Sequence, residues 1–134
     1  LEVGSVVTDF EHRSFGKELG LCQRYYYRTT CDATGQRYAL GMQMTGSTAS
    51  MQINFPTTLR TKPTALETSG TASDYSVSRT STHEVCNTVP TFAIATPYLA
   101  VVNTSQTDAS LSTGQAVQLR ANGTGFFLGF SAEL

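Results

Sequence analysis

An all-β fold, a sandwich or barrel of short strands preceded by one short helix, is what this sequence predicts. Two observations carry that expectation. From Arg24 onward the chain runs in short segments of β-branched, aromatic and alternating residues, separated by clusters of Gly, Pro, Asn, Asp, Ser and Thr. A helical spacing of apolar residues occurs only once, close to the start.

The helix is expected to open at Ser14, whose side chain suits an N-cap, with Glu18 in the first turn where a negative charge complements the helix dipole. Phe15, Leu19 and Cys22 fall at i, i+4 and i+7 on one face. Gly16 and Gly20 weaken the helix, which limits it to about two turns.

Strands are expected over Arg24 to Thr30, Tyr38 to Met44, Ser50 to Phe55, Thr64 to Thr68 and Asp74 to Arg79. Four more follow over His83 to Thr88, Thr91 to Asn103, Gln115 to Ala121 and Gly125 to Ala132. Alternation sets the core list: Met42 and Met44; Met51, Ile53 and Phe55; Tyr75 and Val77; Val117 and Leu119; Phe126, Leu128 and Phe130. Gly- and Pro-bearing segments mark the turns, among them Asp32-Ala33-Thr34-Gly35, Ser69-Gly70 and Ser112-Thr113-Gly114. Asn122-Gly123 reads as a hairpin turn.

The segment from Phe92 to Val102 is apolar on both faces, so it needs two covers. One is the domain's own core. The other is either a symmetry-related copy of the same surface or a loop over a central strand.

A length of 134 residues suits one domain that buries roughly two-thirds of its unfolded surface. Charged residues make up 14% of the chain, against about 25% in an average domain, while Ser and Thr supply about a quarter. The surface is therefore polar but nearly uncharged. A net charge of -1 supplies no basic stripe for phosphates, so nucleic acid and anionic membrane are poor partners. No apolar run is long enough to cross a bilayer as a helix, and no membrane insertion is expected. The chain opens at Leu1 without a methionine or a basic leader, which is expected of a piece cut from a longer protein. Cys22, Cys31 and Cys86 are odd in number and form no Cys-x-x-Cys pair, against a disulfide framework and a zinc site. One bridge plus one free thiol stays open.

No catalytic constellation is evident, and the chain is not expected to be an enzyme or to hold a metal or cofactor. His12 and His83 are the only histidines, and His83 and Glu84 alternate across a strand rather than converge. No Gly-x-Ser-x-Gly elbow or phosphate loop occurs. Five of the ten acids (Asp32, Glu67, Asp74, Glu84 and Asp108) fall across the strand region, most of them where turn duty explains them. Glycosidic chemistry, which needs a carboxylate pair roughly 5 to 10 Å apart, is therefore the weakest reading. Abundant hydroxyls and amides with a few tyrosines instead suit hydrogen bonding to sugar hydroxyls and stacking on their apolar faces. Ser and Thr also simply suit exposed strands. A ligand site is expected on the loops Thr68 to Asp74 and Asn103 to Gly114, with Asp74, Tyr75, Asn103, Gln106 and Asp108 as its candidate residues. Arg60, Arg79 and Arg120 read as strand-edge or intersubunit pairs.

The N-terminal run from Leu1-Glu2-Val3-Gly4-Ser5 through Glu18-Leu19-Gly20-Leu21-Cys22-Gln23-Arg24-Tyr25-Tyr26 resembles the seam found in bacteriophage tail-fibre and receptor-binding proteins. There a carbohydrate-binding-module-like domain ends and a C-terminal head begins. The closing Leu128-Gly129-Phe130-Ser131-Ala132-Glu133-Leu134 is similar to the last strand of those heads, and Pro56-Thr57-Thr58-Leu59-Arg60-Thr61-Lys62-Pro63-Thr64 is similar to one of their internal segments. The family more often carries Ala-Thr-Pro-Phe-Glu where this chain has Val7-Thr8-Asp9-Phe10-Glu11, and Ala where Gly20 stands. The loops match nothing in that family.

This resemblance implies an antiparallel, jelly-roll-like β-sandwich in a homotrimeric head, with residues 1–13 as the connector and residues 14–134 as the head. The implied partners are an upstream fibre shaft and a bacterial surface glycan or outer-membrane receptor, and the implied location is the virion, at a tail or capsid fibre tip. A head that only trimerises and caps the fibre, a polysaccharide-degrading enzyme and a cellular trimeric jelly roll of the tumour-necrosis-factor type are the competing readings.

Overall fold

The computed structural model describes residues 14–80, 82–106 and 111–133. The expected connector, residues 1–13, and Asp108 lie outside the described residues.

Helix α1 spans Phe15–Gln23. Ser14 caps it as expected: its hydroxyl accepts from the Lys17 amide at 3.4 Å and its carbonyl from the Glu18 amide at 3.1 Å. The predicted apolar face points to solvent, with Phe15 82% exposed and no helical side chain buried. Beyond its cap, the helix is tied to the body of the fold where the Thr57 hydroxyl donates to Gln23 Oε1 at 3.4 Å.

Ten strands follow: β1 (Tyr26–Thr30), β2 (Arg37–Gln43), β3 (Thr48–Asn54), β4 (Ala65–Thr68), β5 (Tyr75–Ser78), β6 (His83–Val85), β7 (Thr91–Ala95), β8 (Leu99–Ser105), β9 (Ala116–Ala121) and β10 (Phe127–Ser131). They form a three-stranded sheet, β1-β10-β4, and a seven-stranded sheet, β6-β5-β9-β2-β3-β8-β7, with every pair antiparallel. The two sheets pack face to face as a β-sandwich. Its core joins Met51, Ile53, Tyr75, Val77, Val102, Val117 and Leu119 of the larger sheet to Leu128 and Phe130 of β10. The Phe130 ring centroid lies 5.1 to 6.2 Å from those of Phe55, Phe92 and Tyr27, in edge, tilted and stacked geometry.

The larger sheet cannot be flat. Its edge strands β6 and β7 would be separated by about 29 Å across six flat strand spacings. From Val85 to Thr91 the chain can reach at most about 22 Å. The sheet therefore curls until its edges approach, and residues 86–90 run beside the end of β8. Cys86 bridges Gln106, the Asn87 amide donates to the Ser105 carbonyl at 2.9 Å, and the Thr104 hydroxyl donates to the Thr88 carbonyl at 2.8 Å.

Three expectations are corrected. Met42 and Met44 are 50% and 53% exposed, because the inward positions of β2 belong to Ala39, Gly41 and Gln43. A Cβ on Gly41 would stand 2.0 Å from the Ser50 carbonyl oxygen, so only glycine lets β2 and β3 close over Met51. Gln43 is buried against Gln106 in a reciprocal amide pair, at 3.1 and 3.4 Å, that satisfies both polar ends. The span Thr91 to Asn103 is a hairpin, β7 and β8, turned at Thr96-Pro97-Tyr98, where the Thr96 hydroxyl accepts from the amides of Tyr98 and Leu99. Asn122-Gly123 is a crossing between sheets, since β9 and β10 do not pair, and the positive φ there belongs to Gly125.

Candidate functional site

The outer face of the seven-stranded sheet is where side chains stand free of the core. One cross-strand row crosses it edge to edge through Ile94, Val101, Gln52, Leu40, Gln118, Ser78 and His83. Along that row the chemistry changes at Leu40.

On the β7, β8, β3 and β2 side the face is apolar and amide-bearing. Leu40, Met42, Met44, Ile94 and Tyr98 are between 50% and 65% exposed. Leu40, Met42, Met44 and Val101, with Gln52 and Asn54, line an open trough of about 490 Å³. Among the described residues no charged side chain lines it. Asn103 stands on the same face, opposite Ser50, its side-chain oxygen buried and without a hydrogen-bond partner.

On the β9, β5 and β6 side the face is cationic. Strict alternation would turn Arg37 the same way as the inward Ala39, but a register shift between the two breaks the alternation at Tyr38. Tyr38 packs toward Tyr75, at 5.9 Å between ring centroids, and Arg37 turns outward to donate its Nε to Gln118 Oε1. Arg37 stands opposite Arg120 across β2 and β9, so two guanidinium-bearing residues face each other. Beside them Arg37, Leu40, Ser78, Arg79, Thr80 and Gln118 line a pocket of about 400 Å³. Among the described residues no carboxylate lines it. Ser76 and Ser78 are 0% and 5% exposed, and neither hydroxyl has a hydrogen-bond partner; nor does the buried Nε of Arg120.

The outer face of the smaller sheet, by contrast, is satisfied internally. The Tyr26 hydroxyl donates to Glu67 at 2.8 Å across Gly129, where a Cβ would meet that hydroxyl at 2.5 Å. Partial burial first, then the neighbouring Glu67 carboxylate, raises the Tyr26 hydroxyl above its ordinary value. The Arg28 guanidinium lies 3.7 Å over the Phe127 ring.

The residues expected to bind ligand are divided among these regions. Tyr75 is wholly buried, its hydroxyl accepting from the Ser69 amide at 2.9 Å and donating to the Phe127 carbonyl at 2.7 Å. Gln106 is buried in its pair with Gln43, and both it and Tyr75 flank Cys86 inside the fold. Asp74 is half-buried at the start of β5, its carbonyl accepting from the Asn122 amide at 2.8 Å. Only Asn103 stands on the outer face. Sequence reasoning missed the Arg37, Ser78 and Gln118 constellation, whose only sequence sign is alternating Ser76 and Ser78 in a strand followed by Arg79.

Among the described residues no three His, Cys, Asp or Glu side chains gather as a metal site, and no helix is long and apolar enough to cross a membrane. Cys22 is an exposed free thiol, while Cys31 and Cys86 are buried free thiols. Burial raises both buried thiols, Cys86 to about 11. Comparison with protein-family models, with curated proteins and with solved structures finds no match to this chain.

Proposed function

We propose that this chain is the C-terminal head of a bacteriophage fibre. In this reading it is a jelly-roll-like sandwich that trimerises through the apolar half of its outer sheet face and attaches the virion to a host-surface glycan or envelope component. The observation that carries the reading is the run of exposed Leu40, Met42, Met44, Ile94 and Tyr98 on one face. Apolar surface gathered in this way on a folded domain marks an interaction site.

Identical copies suit it as partners for an electrostatic reason. The lining of the apolar trough is uncharged, so copies meeting there around a three-fold axis bring no like charges together. The cationic half would oppose arginine to arginine in the same arrangement. The sequence resemblance to phage heads at both ends of the chain supplies the biological setting.

The test has two readouts. Sedimentation of the purified chain should give the mass of three 14.4 kDa subunits, and saturating head should block adsorption of the parent phage to its host. A monomer at all concentrations would remove the assembly. Intact trimers that fail to compete would leave only a capping head, which deletion of residues 14–134 would reveal as misfolded rather than non-adsorbing fibres.

A further inference from the structure

We propose that the pocket between β2, β5 and β9 binds a carboxylate-bearing sugar, and that Arg37 and Arg79 hold its acid group. This deepens, and rests on, the reading of the chain as a glycan-binding head.

The argument begins with what the fold leaves unpaired. Like charges directly opposite on neighbouring strands destabilise a sheet, yet Arg37 faces Arg120 across β2 and β9. Among the described residues that line the pocket, Arg37 and Arg79 are the charged side chains and no carboxylate stands with them. The bulge at Tyr38 is what turns Arg37 outward into this position, and bulges recur where a side chain is re-aimed at a functional site. Arg37 donates its Nε to Gln118 Oε1, which orients the guanidinium at the pocket wall.

Ser78 supplies a second, independent observation. Ser78 is 5% exposed and is one of the residues lining the pocket, and its buried hydroxyl has no partner. A buried hydroxyl left unpaired costs free energy, so a ligand that completes it has a place prepared. Thr80 and Gln118 line the same pocket and add polar side chains to it. Leu40 and Ala116 close it with an apolar surface. One acid group, several hydroxyls and an apolar ring face describe an acidic monosaccharide, and the pocket volume of about 400 Å³ suits a single sugar unit. Leu40 also belongs to the apolar half, so the site borders the proposed subunit contact and repeats once per copy, which favours avidity over single-site strength.

The experiment is a titration of the full chain, followed by amide chemical shifts, with methyl β-glucuronide, methyl β-glucoside and inorganic phosphate. The glucuronide should bind saturably and shift residues around Arg37, Ser78 and Gln118, with the glucoside and phosphate each weaker by roughly tenfold or more. Arg37→Gln and Arg79→Gln should each weaken the glucuronide by about tenfold. Ser78→Ala should weaken it while leaving the thermal midpoint the same or higher, which separates binding from folding. Equal binding of both sugars, phosphate as tight as the glucuronide, or arginine variants that bind like the parent would each overturn the proposal. Adsorption competition is measured beside it. A head that blocks adsorption but ignores glucuronide sinks the pocket alone, and one that binds glucuronide but never blocks adsorption sinks the phage reading alone.

Discussion

The two halves of the outer sheet face are built on one set of strands and one core, yet they expose opposite chemistry. From β7 to β2 the outward positions carry Ile94, Val101, Leu40, Met42 and Met44; from β9 to β6 they carry Gln118, Arg120, Ser76, Ser78 and His83. Under both, the inward positions are mostly small or apolar, the exceptions being the paired Gln43 and Gln106, Thr104 opposite Ala49 and Glu84 opposite Val77. The contrast shows that the fold fixes only the inner face. Two neighbouring outer regions of the same sheet therefore carry different chemistry over one core, one apolar and one cationic.

Placing a charge on the apolar half is the strongest way to break that contrast. Met42→Glu should weaken self-association by roughly a hundredfold or more, because an unpaired charge buried at an interface costs several kcal/mol. The isolated subunit should melt within about 0.5 kcal/mol of the parent, since residue 42 is half exposed. Sedimentation and thermal melting read the two effects separately. A variant that stays trimeric would move the interface off this half.

The next largest effect tests whether the halves share one cooperative core. Met51 is fully buried beneath Gly41, under the apolar half and one strand from the β2–β9 boundary with the cationic half. Met51→Ala should cost about 2 to 5 kcal/mol, and amide exchange should accelerate in β3 and β9 alike. Loss of protection on one side only would show two independent units.

The pairing behind this arrangement was only partly written in the sequence. Alternation found Met51 and Ile53, Val117 and Leu119, and Leu128 and Phe130, because in those strands the inward residues are large and apolar. It failed in β2, where the inward residues are Ala39, Gly41 and Gln43 and the larger apolar residues point out. Period-two patterning cannot tell which face is the core when a buried amide finds its partner at Gln106, far along the chain. The Ser14 cap was legible because it is local. The pocket was not, because it joins residues near positions 37, 78 and 118, and their adjacency depends on the order β5-β9-β2.

The closure of the curled sheet ties its cationic edge to its apolar edge at Cys86, and pH tests that junction. Burial holds the thiol proton, lifting its pKa from 9.0 to about 11, so the unfolded chain ionises first. Its contribution is therefore complete below about pH 9 and lost as pH rises through 11. Two units correspond to about 2 to 3 kcal/mol. Cys31 and Tyr38 are shifted in the same direction. Chemical denaturation should show stability falling across that window, and Cys86→Ala should flatten part of the fall. An unchanged slope would assign the pH dependence elsewhere.

The smallest effect sharpens the comparison most directly. Ser76 lies on the cationic half opposite Arg120, buried, with a hydroxyl that bonds to nothing in the fold. A buried polar group kept without a partner opposes folding. Ser76→Ala should therefore stabilise the chain by about 1 kcal/mol, against the usual direction for a core substitution. The apolar half offers the matching control. Ser50, half-buried opposite Met42, is not among the buried hydroxyls left without a partner, so Ser50→Ala should leave the midpoint within about 0.5 kcal/mol. If both substitutions prove neutral, the unpaired hydroxyls carry no cost, and the cationic half loses its claim to be a surface held in wait for a ligand. If Ser76→Ala alone stabilises, the unpaired hydroxyl opposite Arg120 carries a folding cost that the Ser50 hydroxyl does not, as expected of a group left for a polar guest.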